Sequence, residues 1–165
     1  MKPLDILVLL KIFFWPHGRW TIREIATSIN IGKTNVDRAL KRMAVVRLYD
    51  PASRNVLVKN LEEFILHGLP YVFPAKNGKM CTGIVTAWSA SPLKEKIAAE
   101  ENVVWPFVKG KARGRALIPL CPAVPKAALD DFKLYEMFSL IDAYRAGKIR
   151  DREIAREEIS KRLGN

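Results

Sequence analysis

Residues Trp20–Arg47 read WTIREIATSINIGKTNVDRALKRMAVVR, two helical segments separated by a short break. Ile22, Ile25, Ala26 and Ile29 recur at i, i+3, i+4 and i+7, the single apolar stripe of an amphipathic helix. After Asn30-Ile31-Gly32, the residues Val36, Ala39, Leu40 and Met43 repeat that spacing. Winding the second segment at ~100° per residue sets Thr34, Arg38 and Lys41 opposite the stripe, with Asn35, Asp37 and Arg42 on its flanks. One face is built to be buried, while the other carries cations, an amide and a hydroxyl. Those are the side chains that reading base edges in a DNA major groove requires.

The boundaries of the two segments are signalled locally. Thr21 and Glu24 have the spacing of a capping box, and Trp20 and Ile25 stand at the positions of a hydrophobic staple. Gly32 is an acceptable cap for a helix from Lys33 to about Val46. Downstream, the turn-rich Tyr49-Asp50-Pro51-Ala52-Ser53-Arg54-Asn55 leads into Val56-Leu57-Val58. This predicts a strand, a turn and a second strand, with Arg54 near the tip. Upstream, Pro3 suits the first turn of a helix running to about Phe14, ended by Trp15-Pro16-His17-Gly18. That helix is apolar nearly all round, from Leu4 through Ile6, Leu7, Val8, Leu9 and Leu10 to Ile12 and Phe13. It requires cover on more than one side, by its own domain and by either the C-terminal half or a second subunit.

On the helix pair Thr21–Ile29 and Lys33–Val46, the turn residue Ile31 and the wing around Arg54, residues 1 to about 60 resemble a winged helix-turn-helix module. Modules of this kind occur in bacterial transcriptional regulators, including those of the MarR type. The resemblance implies an N-terminal DNA-binding domain over residues 1–68. Residues 69–165 are then expected to supply dimerisation, sensing or partner binding.

Composition agrees with a polyanionic partner. The 165 residues are 49% hydrophobic and 27% charged, ordinary material for a packed core, but the net charge is +11. The excess is uneven: residues 1–60 carry eleven Lys and Arg against four Asp and Glu, and residues 109–165 carry thirteen against eight. Between them, residues 61–108 carry four against five. Cys81 and Cys121 stand far apart without CxxC spacing, which disfavours a disulfide framework or zinc site and fits a reducing cytoplasm. No run approaches the ~18 apolar residues of a membrane span, and Asp5 and Lys11 interrupt the N-terminal apolar stretch.

Elsewhere the pattern predicts an α+β, mainly helical chain. Leu61–Leu66 reads as one or two helical turns ended by His67-Gly68-Leu69-Pro70, and Pro92–Ala99 as a short helix. Val103–Val108 and Ala116–Leu120 read as strands of a small β-hairpin region flanking Lys109-Gly110-Lys111-Ala112-Arg113-Gly114-Arg115. Two closing helices follow. Leu129–Ala146 is apolar on several sides and stopped by Gly147, and a last helix capped by Asp151 carries the thin seam Ile154, Ala155, Ile159 and Leu163. The aromatics Tyr71, Phe73, Trp88, Trp105 and Phe107 are expected mainly in the core.

The candidate site is therefore a DNA surface. Lys33, Thr34, Asn35 and Arg38 occupy the base-reading zone, Arg38 suited to guanine and Asn35 to adenine. Lys41 and Arg42 lie farther along and suit phosphates, with Arg23, Arg19 and the wing residue Arg54 as further backbone or minor-groove contacts. Lys109, Lys111, Arg113 and Arg115 alternate, so that an extended chain sets all four on one side, either as a second basic patch or as a solvated tip. His17 and His67 lack metal-ligand spacing, and Ser89 and Ser91 sit in no nucleophile elbow. The chain contains no glycine-rich phosphate loop, and nothing in it argues for an enzyme or a cofactor. The reading is a cytoplasmic, homodimeric transcriptional repressor that binds double-stranded DNA. Its rival is an antitoxin or defence protein that also holds a toxin partner through residues 61–165.

Overall fold

In the computed structural model, which describes residues 1–16 and 18–164, the fold is mixed α+β and mainly helical, about 54% of it in helices. Pro3 opens α1 (Pro3–Phe13), where its missing N–H costs nothing, and the Lys2 amide donates to the Asp5 carboxylate at 2.7 Å. Ile6, Leu7, Val8, Leu9 and Leu10 are all fully buried. A single hydrophobic cluster joins them to Leu61, Ile65 and Leu69 and to Trp105, Phe138, Ile141 and Ile159. The cover that α1 requires thus comes from its own chain, and each such side chain contributes ~1.5–3 kcal/mol of transfer energy. Lys11, also buried, pairs with Asp131 at 2.7 Å and ties α1 to the C-terminal helices.

α2 (Ile22–Ser28) and α3 (Lys33–Val45) start where their caps predict. The Thr21 hydroxyl accepts from the Glu24 amide at 3.2 Å, and the Glu24 carboxylate accepts from the Thr21 amide at 2.8 Å. Between the helices Asn30 adopts the left-handed conformation (φ 55°), which an Asn tolerates better than most residues, and Ile31 tucks its amide onto the Ala26 carbonyl. Behind α3 the strands β1 (Tyr49–Asp50) and β2 (Asn55–Val56) pair antiparallel, Tyr49 opposite Val56. Leu57 and Val58 do not prolong β2, because Val58 already begins α4 (Val58–Glu63).

His67–Pro70 does not end the helical run as expected. The chain continues through a wide π-type turn (Phe64–Gly68) into α5 (Leu69–Val72). Pro70 falls in the first turn of α5, where a proline fits. The stretch expected to be a helix over Pro92–Ala99 forms only a short 3₁₀ turn, Leu93–Glu95.

The expected β-hairpin is replaced by a three-stranded closed sheet. β3 (Asn77–Val85), which periodicity did not reveal, pairs antiparallel with both β4 (Val103–Pro106) and β5 (Ala112–Leu117). β4 and β5 run parallel to each other, Val103 opposite Arg115. Glycines permit this closure. A Cβ on Gly83 would lie 1.9 Å from the Trp105 carbonyl oxygen, and one on Gly110 would lie 2.2 Å from the Gly83 carbonyl oxygen. The backbones approach where side chains would hold them apart.

The sheet is fastened to the C-terminal helices by a buried polar cluster. The helix expected over Leu129–Ala146 is α7 (Phe132–Ala146), which starts three residues later because Leu129 ends a separate short helix, α6 (Val124–Leu129); Asp131 caps α7 by accepting from the Leu134 amide at 3.1 Å. On α7, the buried Asp142 accepts from Trp105 Nε1 (2.5 Å), Thr86 Oγ1 (3.1 Å) and Arg145 Nη1 (2.8 Å). Arg145 also donates to the carbonyls of Phe73 (2.8 Å) and Pro74 (3.1 Å). Burial pushes the Asp142 carboxyl up to about 6, against the opposing pull of Arg145 and of the three donated hydrogen bonds. The last helix, α8 (Ile149–Leu163), has Lys148 rather than Asp151 at its cap; Asp151 stands one turn in and accepts from the Lys148 amide at 3.3 Å. Its seam residues Ala155, Ile159 and Leu163 are buried as expected. Among the described residues no helix is long and apolar enough to cross a membrane.

Candidate nucleic-acid interface

α3 is held by its inner face. Val36, Ala39 and Met43 are fully buried and Leu40 nearly so, which fixes the rotation of the helix about its axis. That rotation turns Lys33, Thr34, Asn35, Arg38 and Lys41 outward, all exposed. Thr34, Arg38 and Lys41 then fall within roughly 60° of one another around the axis, over ~10 Å of helix. Their donors are aimed at solvent from a rigid element, which suits bidentate contact with base edges and contact with phosphates. Lys41 has a local partner in Asp37, at 2.9 Å one turn back, an exposed pair of small energetic weight.

Arg42 is the residue of the predicted set that the structure turns away from this face. Its Nε and Nη2 donate to the two carboxylate oxygens of Asp5, at 3.0 and 2.5 Å, and Asp5 is fully buried. Hydrogen bonding to Asp5 holds the guanidinium above its ordinary range. The sequence signal was the lone carboxylate within the apolar run of α1, but its partner stands 37 positions away.

The β1–β2 turn is fastened against the start of α2. Arg54, in the left-handed conformation (φ 58°), places its guanidinium 4.4 Å from the centre of the Trp20 ring and donates to the Trp20 carbonyl at 3.0 Å. Asp50 gathers the other side of the turn, accepting from the amides of Ala52 (3.1 Å) and Ser53 (3.2 Å) and from the Ser53 hydroxyl (2.5 Å). The Ser53 hydroxyl and then the two amides hold that carboxyl below its usual value. Between turn and helix lies a groove of about 610 Å³ lined by Gly18, Arg19, Trp20, Ser53, Arg54 and Asn55. Arg19 and Arg23 are exposed. The hairpin, the loop before α2 and their cations therefore form one rigid unit with the helix pair.

The remaining predicted residues are dispersed. Lys109 lies in the turn after β4, Lys111 just before β5, and Arg113 and Arg115 on β5, all exposed. The uniform extended run expected for the four is broken because the Gly110 amide closes a turn onto the Phe107 carbonyl at 2.9 Å. Trp105 is core, whereas Tyr71 points outward at 80% exposure. His67 is exposed, and His17 lies outside the described residues. Ser89 is structural, its hydroxyl accepting from the Val103 amide at 2.8 Å. Cys81 and Cys121 are free thiols; burial pushes Cys121 up to about 11. Among the described residues no group of His, Cys, Asp and Glu side chains is arranged to hold a metal ion. Compared with family models, curated proteins and solved structures, the chain matches none.

Proposed function

We propose that the protein is a DNA-binding regulator of the winged helix-turn-helix kind, reading sequence in the major groove with α3 and repressing from its own upstream DNA. One observation carries the reading. Lys33, Thr34, Asn35, Arg38 and Lys41 are all exposed on a helix whose opposite face is locked into the core. An amide, a hydroxyl and a guanidinium displayed from one rigid helix can distinguish base pairs, which a diffuse basic surface cannot. The hairpin around Arg54 and the cations Arg19 and Arg23 support it as backbone contacts that set the helix in register.

The test is a salt titration of binding to the DNA upstream of the gene against a scrambled duplex of equal length. Preference for the upstream fragment that persists at physiological salt is the expected result. Equal affinity for both duplexes, falling steeply and together with salt, would leave only attraction to phosphate and would end the reading.

A further inference from the structure

The closed sheet carries a second cationic surface that reading by α3 leaves unused. β3 and β5 are in register with Met80 opposite Arg115 and Thr82 opposite Arg113, so these four side chains share the outer face of the sheet. Cys81 and Gly114, paired with each other, belong to the inner face, and Gly114 is buried. Lys76 and Lys79 stand exposed at the start of β3, and Lys109 and Lys111 on the turn entering β5. Segments 76–82 and 108–115 thus hold six cations and no Asp or Glu. One acid is close enough to pair with them among the described residues: Glu101, 3.1 Å from Arg115 in an exposed contact. Lys109, Lys111 and Arg113 make no ion pair there.

We propose that this face is a second nucleic-acid surface, a strip that follows the phosphate backbone without reading bases. It extends the DNA-binding reading above and rests on it. Charge complementarity selects the occupant: six exposed cations along one edge and face of the sheet, opposed only by Glu101 among the described residues, fit a polyanion. Alternate residues of a strand advance ~6.8 Å, so Arg113 and Arg115 are far enough apart to meet two separate phosphates of one backbone. The strip offers guanidinium and ammonium donors, which phosphate oxygens accept. Because α3 is set by α1 and the sheet by α7, the two surfaces belong to separate elements and can be removed separately.

The experiment is fluorescence anisotropy of two labelled duplexes, the upstream fragment and a random sequence of equal length, titrated with the full chain over a range of salt. The variants are K109Q/K111Q/R113Q for the strip and R38A/K41A for α3. All five side chains are exposed, and unchanged thermal melting checks the fold of each variant. The strip variant is expected to bind more weakly, with a log–log salt slope shallower by about two to three, while keeping preference for upstream DNA. A strip variant with the wild-type slope and affinity overturns the proposal. So does one that binds duplex normally but no longer binds polyglutamate, which would make the strip a dock for an acidic protein. If R38A/K41A changes nothing while the strip variant loses slope, the strip stands and reading by α3 falls. Absence of wild-type binding at low salt overturns both.

Discussion

Arg42 and Asp5 form a two-pronged ion pair that joins the outer edge of α3 to the buried side of α1, with Nε 3.0 Å from Oδ2 and Nη2 2.5 Å from Oδ1. The carboxylate is fully enclosed, and the guanidinium side chain keeps 29% of its surface in water. Removing the cation strands a buried negative charge, whose cost for enclosed pairs is ~3–5 kcal/mol. The wet side of Arg42 reduces that, so Arg42→Ala is expected to lower stability by ~2–3 kcal/mol. Urea unfolding measures it. DNA affinity per folded molecule should hold, and a specific loss of affinity without loss of stability would place Arg42 on the DNA after all.

Arg38 and Lys41 stand one turn apart on the outward face, and their expected effects differ in kind. Arg38→Ala should weaken binding to the preferred sequence by ~1–3 kcal/mol and relax base preference. Lys41→Ala should weaken all duplexes alike and reduce the salt slope by at most about one. The reduction is smaller if the Asp37 pair persists on the DNA. Competition binding on upstream and scrambled duplexes separates the two. Equal losses on both duplexes for both variants would remove α3 as the reader.

Legibility follows the range of the interactions. α2 and α3 could be read because their caps and stripes are local: Thr21 and Glu24 are three residues apart, and Val36 to Met43 span two turns. The inward turn of Arg42 could not be read, since on its own helix it is merely a flank cation and Asp5 decides its direction. The sheet was illegible for a related reason. Its closure depends on Gly83, Gly110 and Gly114 allowing backbone contact between distant segments, which leaves no periodic trace. β3 hides especially well, with Asn77, Gly78, Thr82 and Gly83 and the exposed Met80 and Lys79 among its nine residues. The start of α7 was misplaced by three residues because Leu129 continues the apolar pattern, whereas the side chain of Asp131 fixes the first turn by accepting from the Leu134 amide.

Asp142 gives the fold a pH dependence of definite sign. Its carboxyl is raised from 3.8 to about 6 in the folded chain, so the folded state holds the proton more tightly than the unfolded one. Its stabilising contribution is fully present below about 4, declines as pH rises towards about 6, and is flat beyond. Chemical unfolding of wild type and Asp142→Asn across this window isolates the group, because the other carboxyls contribute alike to both chains and cancel in the difference. The wild-type stability minus that of the variant should fall with rising pH. A difference that rises instead would mean that Arg145 and the three donors outweigh burial and hold the carboxylate charged.

Gly83 tests whether the sheet closes as described. It pairs with Pro106 on one strand and Ala112 on the other, at the point where β4 passes into β5. A Cβ there would stand 1.9 Å from the Trp105 carbonyl oxygen and 3.1 Å from the Val104 Cβ, and the nearer atom is backbone that cannot rotate aside. Gly83→Ala must therefore separate β3 from β4, strain that in packed interiors costs ~1–3 kcal/mol. The displacement reaches further, because Trp105 holds Asp142 through its indole N–H. The variant should melt at lower temperature and also lose the pH slope assigned to Asp142, since a loosened Trp105 admits water to that carboxylate. Lower melting with the slope intact would show that the sheet yields locally and that Asp142 is held by Arg145 and Thr86 alone.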